Sequence, residues 1–237
     1  MNYESALQRA VLIKRYKRFL ADIMLPDGVH TTIYCPNTGS MLGCAEPGST
    51  VWFSRSDNPQ RRYPFTWEQV AGADDVRVGV NTGVANSLVR EAIEGEALTE
   101  LSGYATVKAE VTIEPGSRLD FVLTAPQRRR CVVEVKNVSA AVDEGIAFFP
   151  DAVSVRAQKH LAVLMRRIDA GERAVLVFCV QRDDVRQVRP ADHIDLRYGR
   201  LLREAMAHGV DVLAMAARLG DQSIALYRSV PVFCPPL

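Results

Sequence analysis

The sequence has no long hydrophobic run. Its longest uninterrupted apolar stretch is Ala174–Val180, far below the roughly 20 residues that a membrane-spanning helix needs. The N-terminal apolar patch Val11–Ile13 comes before the basic Lys14 and Arg15, which reverses the order of charged and apolar residues in a secretory signal. We therefore expect a cytoplasmic protein that has no membrane partner.

Cysteine is scarce and irregularly spaced. The chain has 5 cysteines, an odd number, without a Cys-x-x-Cys motif and without a histidine pair at zinc-ligand spacing. A disulfide framework or a structural zinc site requires more regular spacing. Buried, reduced thiols in the cytosol are the expected state.

An excess of charge of one sign is also absent, since 29 Lys and Arg face 28 Asp and Glu for a net charge of +1. A protein that binds nucleic acid by bulk attraction is strongly basic. Walker A, G-x-G-x-x-G, G-x-S-x-G and H-E-x-x-H motifs are missing as well, which argues against the corresponding nucleotide-binding and hydrolase classes. Binding of DNA would therefore depend on local clusters of cations.

The first third of the chain has the pattern of a small β-barrel. About five short strand patterns follow one another at roughly ten-residue spacing, which is typical of a barrel such as the OB-fold. They are the mixed apolar and basic segment Ala10–Met24 and the runs Val29–Tyr34, Thr50–Ser54, Tyr63–Val70 and Val76–Val80.

The pattern changes after residue 83. Leu88, Ala92 and Ile93 recur at helical spacing, and the rest of the chain predicts the order helix, three strands, helix, strand, helix, two strands. Such an order predicts a mixed α/β domain whose antiparallel sheet is joined to a further strand by a crossover helix. We place the boundary near residue 83, which divides the chain into an OB-like barrel, 1–83, and an α/β domain, 84–237.

Charged residues in two apolar strands are the strongest chemical signal. Glu134 and Lys136 are two residues apart on a predicted strand and so share one face. Asp120 lies between apolar neighbours on the preceding strand, where an unpaired charge is costly. Asp120 is opposite Glu134 if paired residues have an index sum of 254, or opposite Lys136 if the sum is 256. An odd sum would place Asp120 on the other face, and the sequence does not decide the register.

In the even register these residues match a metal-dependent phosphodiesterase. Asp120 and Glu134 would offer hard oxygen ligands to Mg²⁺ or Mn²⁺, with Lys136 beside the developing phosphate charge. Glu110, on the strand before, is a candidate third ligand, although an exposed position at the sheet edge explains it equally well. A simple exposed Glu–Lys pair, contributing at most about 1 kcal/mol, is the alternative for Glu134 and Lys136.

The chain resembles the SfsA (sugar fermentation stimulation protein A) family over essentially its full length. The matching stretches, in order, are Arg15–Asp22, Cys35–Met41, Val80–Thr82, Ser117–Phe121, Glu134–Asn137, Phe149–Val153 and Gln158–Leu161. The resemblance implies an OB-like barrel, a PD-(D/E)XK nuclease-like domain, non-specific DNA binding and a regulatory role in sugar (maltose) metabolism. The nuclease motif corresponds here to Asp120, Glu134 and Lys136, with Leu119 in place of the motif's proline.

Three groups of residues are candidates for contact with nucleic acid. In each, cations that meet phosphates and rings that stack on bases are the expected chemistry, while a solvated surface or a core position is the alternative. The groups are Lys14, Arg15, Lys17 and Arg18 with Tyr16 and Phe19; Arg61 and Arg62 with Tyr63; and Gln158 and Lys159, next to Arg156 and His160.

DNA is thus the expected partner, with a second copy of the chain as an assembly that the sequence leaves open. Three functions are compatible with the sequence. They are a Mg²⁺- or Mn²⁺-dependent DNase, a DNA-binding regulator that does not cut, and a binder of single strands or RNA. A nuclease-like fold alone does not establish nuclease activity.

Overall fold

The computed structural model describes residues 1–72, 75–114, 116–142 and 145–237. The described residues of the N-terminal part form six strands: β1 (Gln8–Tyr16), β2 (Leu20–Met24), β3 (His30–Tyr34), β4 (Thr50–Arg55), β5 (Phe65–Ala71) and β6 (Arg77–Gly79).

The first five strands close into a barrel. Their sheet has the order β3-β2-β1-β4-β5-β6, and β3 also pairs with β5 through Tyr34 and Thr66. Alternate side chains, among them Phe53 and Trp67, point inward and form a separate buried core. The predicted OB-like barrel is confirmed, and the segment Ala10–Met24, with its mixed composition, is the β1–β2 hairpin.

The second part holds three α-helices and nine strands among the described residues. The helices are α1 (Ala85–Glu94), α2 (Val155–Asp169) and α3 (Leu196–Ala207). The strands are β7 (Thr106–Glu114), β8 (Ser117–Ala125), β9 (Arg128–Val138), β10 (Ala141–Val142), β11 (Ile146–Phe149), β12 (Arg173–Val180), β13 (Gln187–Pro190), β14 (Asp211–Leu219) and β15 (Ile224–Ser229).

A six-stranded mixed sheet is the framework of this domain. Its order is β15-β14-β12-β9-β8-β7, in which β7, β8 and β9 are antiparallel while β12 runs parallel to β9 and β14. The buried apolar residues of this domain form two clusters. One cluster includes residues of α1, and the other includes residues of α2 and α3. The predicted mixed α/β domain is confirmed. The small sheet β10-β11-β13 is not predicted from the sequence, because its strands of two to four residues are too short for a periodic pattern.

The two parts of the chain are in direct contact. The predicted boundary at residue 83 falls in the 3-10 helix Thr82–Val84. Gly79 donates its backbone N–H to Gln181 across the junction at 2.8 Å, and Asn2, before β1, forms a bridge with Ser223 in the second domain. No helix in the described part of the chain is long and apolar enough to cross a membrane.

The register of β8 against β9 places the candidate residues. Phe121 pairs with Val133 and Val122 with Val132, so paired residues have an index sum of 254. Continued by one residue, this even register sets Asp120 opposite Glu134. The register follows from burial, because Phe121 and Val133 belong to one core cluster and Val122 and Val132 to the other.

Asp195 joins the start of α2 to the start of α3. Its carboxylate accepts hydrogen bonds from the backbone N–H of Ser154 (3.0 Å), the backbone N–H of Tyr198 (2.9 Å) and the side-chain amide of Gln158 (2.9 and 3.0 Å). Burial by itself would raise the pKa of Asp195, but these hydrogen bonds outweigh it and hold the pKa below its usual value. The ionised carboxylate therefore links the first turns of the two helices.

Replacement of Asp195 with alanine is expected to lower the free energy of unfolding by about 3 kcal/mol, because buried donors lose their acceptor. Urea denaturation at pH 7 measures the change, with exposed Asp169→Ala as control. Since the folded-state pKa is depressed, the stabilisation is present above about pH 4 and is lost as the pH falls through the folded-state value. Equal unfolding free energies for the two variants would contradict this role of Asp195.

Candidate metal and phosphodiester site

Asp120 is held at the point where the β8–β9 ladder ends. Its Oδ2 accepts the backbone N–H of Val135 at 2.7 Å, and its Oδ1 accepts the side-chain amide of Asn86 on α1 at 2.8 Å. Burial and, to a smaller extent, the nearby charge of Glu134 raise the pKa of Asp120. The two donors and Lys136 lower it, but the net shift is upward. The aspartate therefore lies within electrostatic range of the other two residues.

Glu134 is the most buried member of the group, with 2% of its surface exposed. Its Oε1 accepts from the ammonium of Lys136 and contacts Nδ1 of His160 on α2. Burial alone would raise the pKa of Glu134, but the His160 contact and the Lys136 charge lower it overall. Oε2 is buried and has no hydrogen-bond partner among the described residues, so this oxygen is available to a ligand.

Lys136 connects the group to solvent. Its ammonium lies 3.3 Å from Nδ1 of His160, and the side chains of Lys136 and His160 are 13% and 12% exposed. The alternative of a simple exposed ion pair does not apply, because both charges are largely buried.

The sequence pattern left the role of His160 open and gave no indication of Asn86. His160 is the sixth residue of α2, and its approach to Glu134 depends on how α2 packs over β9. Asn86 lies 34 residues before Asp120, on a helix whose apolar periodicity indicates only the buried face. Helical phase gives neither contact, because both depend on packing between separate elements.

Glu110 is not part of this group. Its backbone φ is +53°, and its exposed side chain forms an ion pair with Arg118 at 3.0 Å. Within the described residues, no three His, Cys, Asp or Glu side chains are arranged to hold a metal ion. The left-handed backbone at Glu110 interrupts the alternation of β7 on which the prediction of a third ligand was based.

The residues present still fit a small divalent cation. Mg²⁺ usually keeps several waters and is held by one or two carboxylates together with substrate phosphates. Asp120 and Glu134 supply two carboxylates on neighbouring strands that interact electrostatically, and Oε2 of Glu134 is a buried acceptor without a donor among the described residues. These two residues would hold the cation, and Glu110 would not.

A cationic groove lies next to the group. It has a volume of about 340 Å³, and Arg118, Arg156, Lys159 and His160 line it. Lys159 is exposed in this groove, where it can meet a phosphate. Gln158, the other residue predicted on this helix, is instead buried and bonded to Asp195. One step along α2 turns a side chain by about 100°, so neighbouring residues face the core and the groove.

The basic residues of the first hairpin have different roles. Lys17 and Arg18 are exposed at the β1–β2 turn, and Lys14 is exposed with an ion pair to Asp22 at 3.7 Å. Arg15 points the other way and donates from its guanidinium to three backbone carbonyls, Arg18 at 3.1 Å, Asn37 at 2.8 Å and Gly39 at 3.0 Å. The structure thus gives Arg15 a structural role in place of the predicted contact with nucleic acid.

The second basic group lies on the loop before β5. Arg61 donates to Oγ1 of Thr66 at 3.1 Å and lies 5.9 Å from the centre of the Tyr34 ring. Arg62 is exposed over Tyr63, 5.5 Å from the ring centre. Both cations are on the barrel surface, where a nucleic-acid backbone can approach.

Comparison with known proteins places this geometry in a family. Residues 83–223 match the model described as the sugar fermentation stimulation protein RE domain, and residues 13–80 match the SfsA N-terminal OB domain. The chain is 52% identical over 238 residues to the sugar fermentation stimulation protein homolog of Alkalilimnicola ehrlichii, covering 99% of this chain and 100% of that protein. The homolog of Thioalkalivibrio sulfidiphilus is 53% identical over 233 residues, with 98% of each chain covered.

A solved structure has the same architecture. The structure of Pyrococcus furiosus SfsA in complex with Ca²⁺ superimposes with a TM-score of 0.87 at 23% identity, covering 98% of each chain. At this level of identity the likeness establishes the shared fold.

Proposed function

The chain belongs to the SfsA family of sugar fermentation stimulation proteins, and from this premise we propose that it binds DNA without sequence preference and cleaves phosphodiester bonds. The site of cleavage is the group Asp120, Glu134 and Lys136, with Mg²⁺ or Mn²⁺ as cofactor. The domain is then a working member of the PD-(D/E)XK nuclease type. One observation carries the proposal: Oε2 of Glu134 is buried without a partner among the described residues, while its Oε1 contacts Lys136 and His160 and its charge acts on the nearby Asp120.

Each residue of the group has a separate task. A divalent cation held by Asp120 and Glu134 would polarise a phosphate and lower the pKa of a bound water. Lys136, already partly desolvated, places a positive charge where negative charge develops on the phosphate. His160 and Lys136 both contact Oε1 of Glu134, which keeps the carboxylate oriented and leaves Oε2 for the cation.

The groove supplies binding of the substrate backbone. Arg118, Arg156 and Lys159 put three cations along it, and contacts between cations and phosphates do not depend on base sequence. The exposed cations of the barrel, Lys17 and Arg62 among them, extend the binding surface. Local charge of this kind agrees with a net charge of only +1.

The direct test is incubation of the purified protein with single- and double-stranded DNA and with RNA. We expect cleavage of DNA in Mn²⁺ or Mg²⁺ and no cleavage in excess chelator. Gel electrophoresis of end-labelled substrate measures the cleavage. Lys136→Ala, purified in parallel, controls for contaminating nucleases. Equal cleavage by both preparations, or none in any metal, would contradict the proposed activity.

A second candidate function is DNA binding without cleavage. It is favoured by one observation, the lack of a three-residue metal cluster among the described side chains. In that case the protein slows the migration of DNA in an electrophoretic mobility-shift assay, and the DNA stays intact in the presence of every metal tested. The printed name of its relatives refers to sugar fermentation, and a cytoplasmic regulator of sugar (maltose) metabolism is the role proposed in either case.

A further inference from the structure

A cavity of about 320 Å³ lies at the junction of the two domains. Its walls are the barrel loop Asn37–Gly39, the end of β9 with the residues after it, and the segment Phe148–Ser154. The walls are close together, because Ser40 donates to Oδ2 of Asp151 at 3.1 Å and a Cβ at Gly39 would come within 2.5 Å of that oxygen. The volume is that of a small-molecule site.

The cavity adjoins the proposed cleavage site on two sides. Asn137, in its wall, directly follows Lys136 on β9. The cavity wall includes Val153 and Ser154, and the cationic groove begins at Val155 and Arg156. A strand whose phosphates lie in the groove therefore has the cavity within reach of its next nucleotide.

Charge separates the cavity from the groove. The only charged side chain that lines the cavity, in the described part of the chain, is Asp151. A carboxylate repels phosphate and accepts hydrogen bonds from N–H and O–H groups. The groove, by contrast, is lined by Arg156, Lys159 and His160, together with Arg118, which is paired with Glu110. Phosphate is thus favoured in the groove, while an uncharged donor-bearing group is favoured in the cavity.

The cavity walls also suit a flat ring. Phe148 and Phe149 both line the cavity and are half-buried, but as neighbours on β11 they point to opposite faces. Phe149 packs on the core, 5.2 Å from Tyr198 between ring centres, which leaves the ring of Phe148, 5.5 Å from His193, as the one that a ligand can meet. A flat aromatic ligand gains stacking or edge contacts with such rings. Nucleobases combine a flat ring with amino and imino donors, which is the combination that these walls and Asp151 accommodate.

We propose that this cavity binds one unpaired nucleoside unit of the DNA strand whose phosphates occupy the groove. The inference rests on the proposed function and names its substrate class as single strands and frayed or unpaired ends. A base inside a closed duplex must first be unstacked and unpaired to enter, so blunt, fully paired DNA is bound without use of the cavity.

The test fills the cavity from exposed positions. Ala152 and Thr38 both line it and are exposed, so Ala152→Phe and Thr38→Phe occupy the space without entering the core. Ala207→Phe, at the exposed end of α3, is the matched control. Fluorescence anisotropy in chelator measures binding of a single-stranded oligonucleotide and of a blunt hairpin duplex, independently of cleavage.

We expect both cavity-filling variants to bind the single strand about tenfold more weakly, in the range of a lost base-stacking contact, with duplex affinity and melting temperature unchanged. Ala207→Phe should match the wild type. An equal loss on both substrates, or no loss, overturns the inference, as does displacement of the strand by free glucose but not by free deoxynucleosides. Wild-type binding without cleavage would contradict the proposed nuclease activity alone.

Discussion

Replacement of Lys136 with alanine is expected to lower the rate of metal-dependent DNA cleavage by about 100- to 1,000-fold, the range observed when one preorganised electrostatic group is removed. The ammonium of Lys136 lies against Glu134 and His160 in a largely buried setting. Charge in such a setting interacts strongly with a developing negative charge, because water screens it little.

The measurement is the single-turnover rate in saturating Mn²⁺, which separates the chemical step from binding. Lys108→Ala is the matched control, since Lys108 is exposed on β7 and should leave the rate unchanged. We expect the variant to stay folded, because Glu134 keeps its contact with His160. Thermal denaturation measures whether it does. A cleavage rate of Lys136→Ala within threefold of the wild-type rate would show that Lys136 is not part of the proposed site.

Replacement of Asp120 with asparagine is expected to abolish binding of Mg²⁺ or Mn²⁺. Loss of a group that merely supports a ligand already lowers metal affinity about 10- to 100-fold, and Asp120 is one of only two carboxylates assigned as ligands. The asparagine keeps the size of the side chain, so the apolar surroundings of Leu119 and Phe121 are preserved.

Isothermal titration calorimetry with Mn²⁺ tests this expectation. Glu94→Gln, on the exposed face of α1 in an ion pair with Arg90, controls for the loss of one negative charge elsewhere. Glu110→Gln distinguishes the two-carboxylate site of the structure from the three-ligand site that the strand pattern predicts. We expect this variant to bind Mn²⁺ as tightly as the wild type does. Unchanged titration of Asp120→Asn would rule out the assigned site.

Several features of the fold were predictable because they depend on local pattern. The run Ala174–Val180 is entirely apolar and forms the buried strand β12, and the helical spacing after residue 84 corresponds to α1. The apolar segments around Asp120 and Glu134 predicted two consecutive strands, which are β8 and β9. The six-residue connection between the predicted strands is compatible with more than one register. The observed register follows from the packing of alternate residues of β8 and β9 into two different buried clusters.

The details of the site were less predictable for a related reason. Gln158 and Lys159 are adjacent in the sequence and equally polar, yet one is buried against Asp195 and the other is exposed in the groove. Arg15, within a cluster of cations, turns inward to backbone carbonyls. These outcomes depend on which neighbouring element meets each face, and that information is not present in residue type or spacing.

The sequence by itself determined the two-part architecture, the family and the identity of three charged residues worth examining, because strand alternation, helical spacing and unusual charges in apolar strands are properties of nearby residues. Only the tertiary structure decided which atoms meet. It brought Asn86 from α1 and His160 from α2 to the two carboxylates, separated Glu110 from them, and enclosed a cavity between the domains. Such contacts join segments tens of residues apart, and their geometry follows from the packing of whole elements on the sheet.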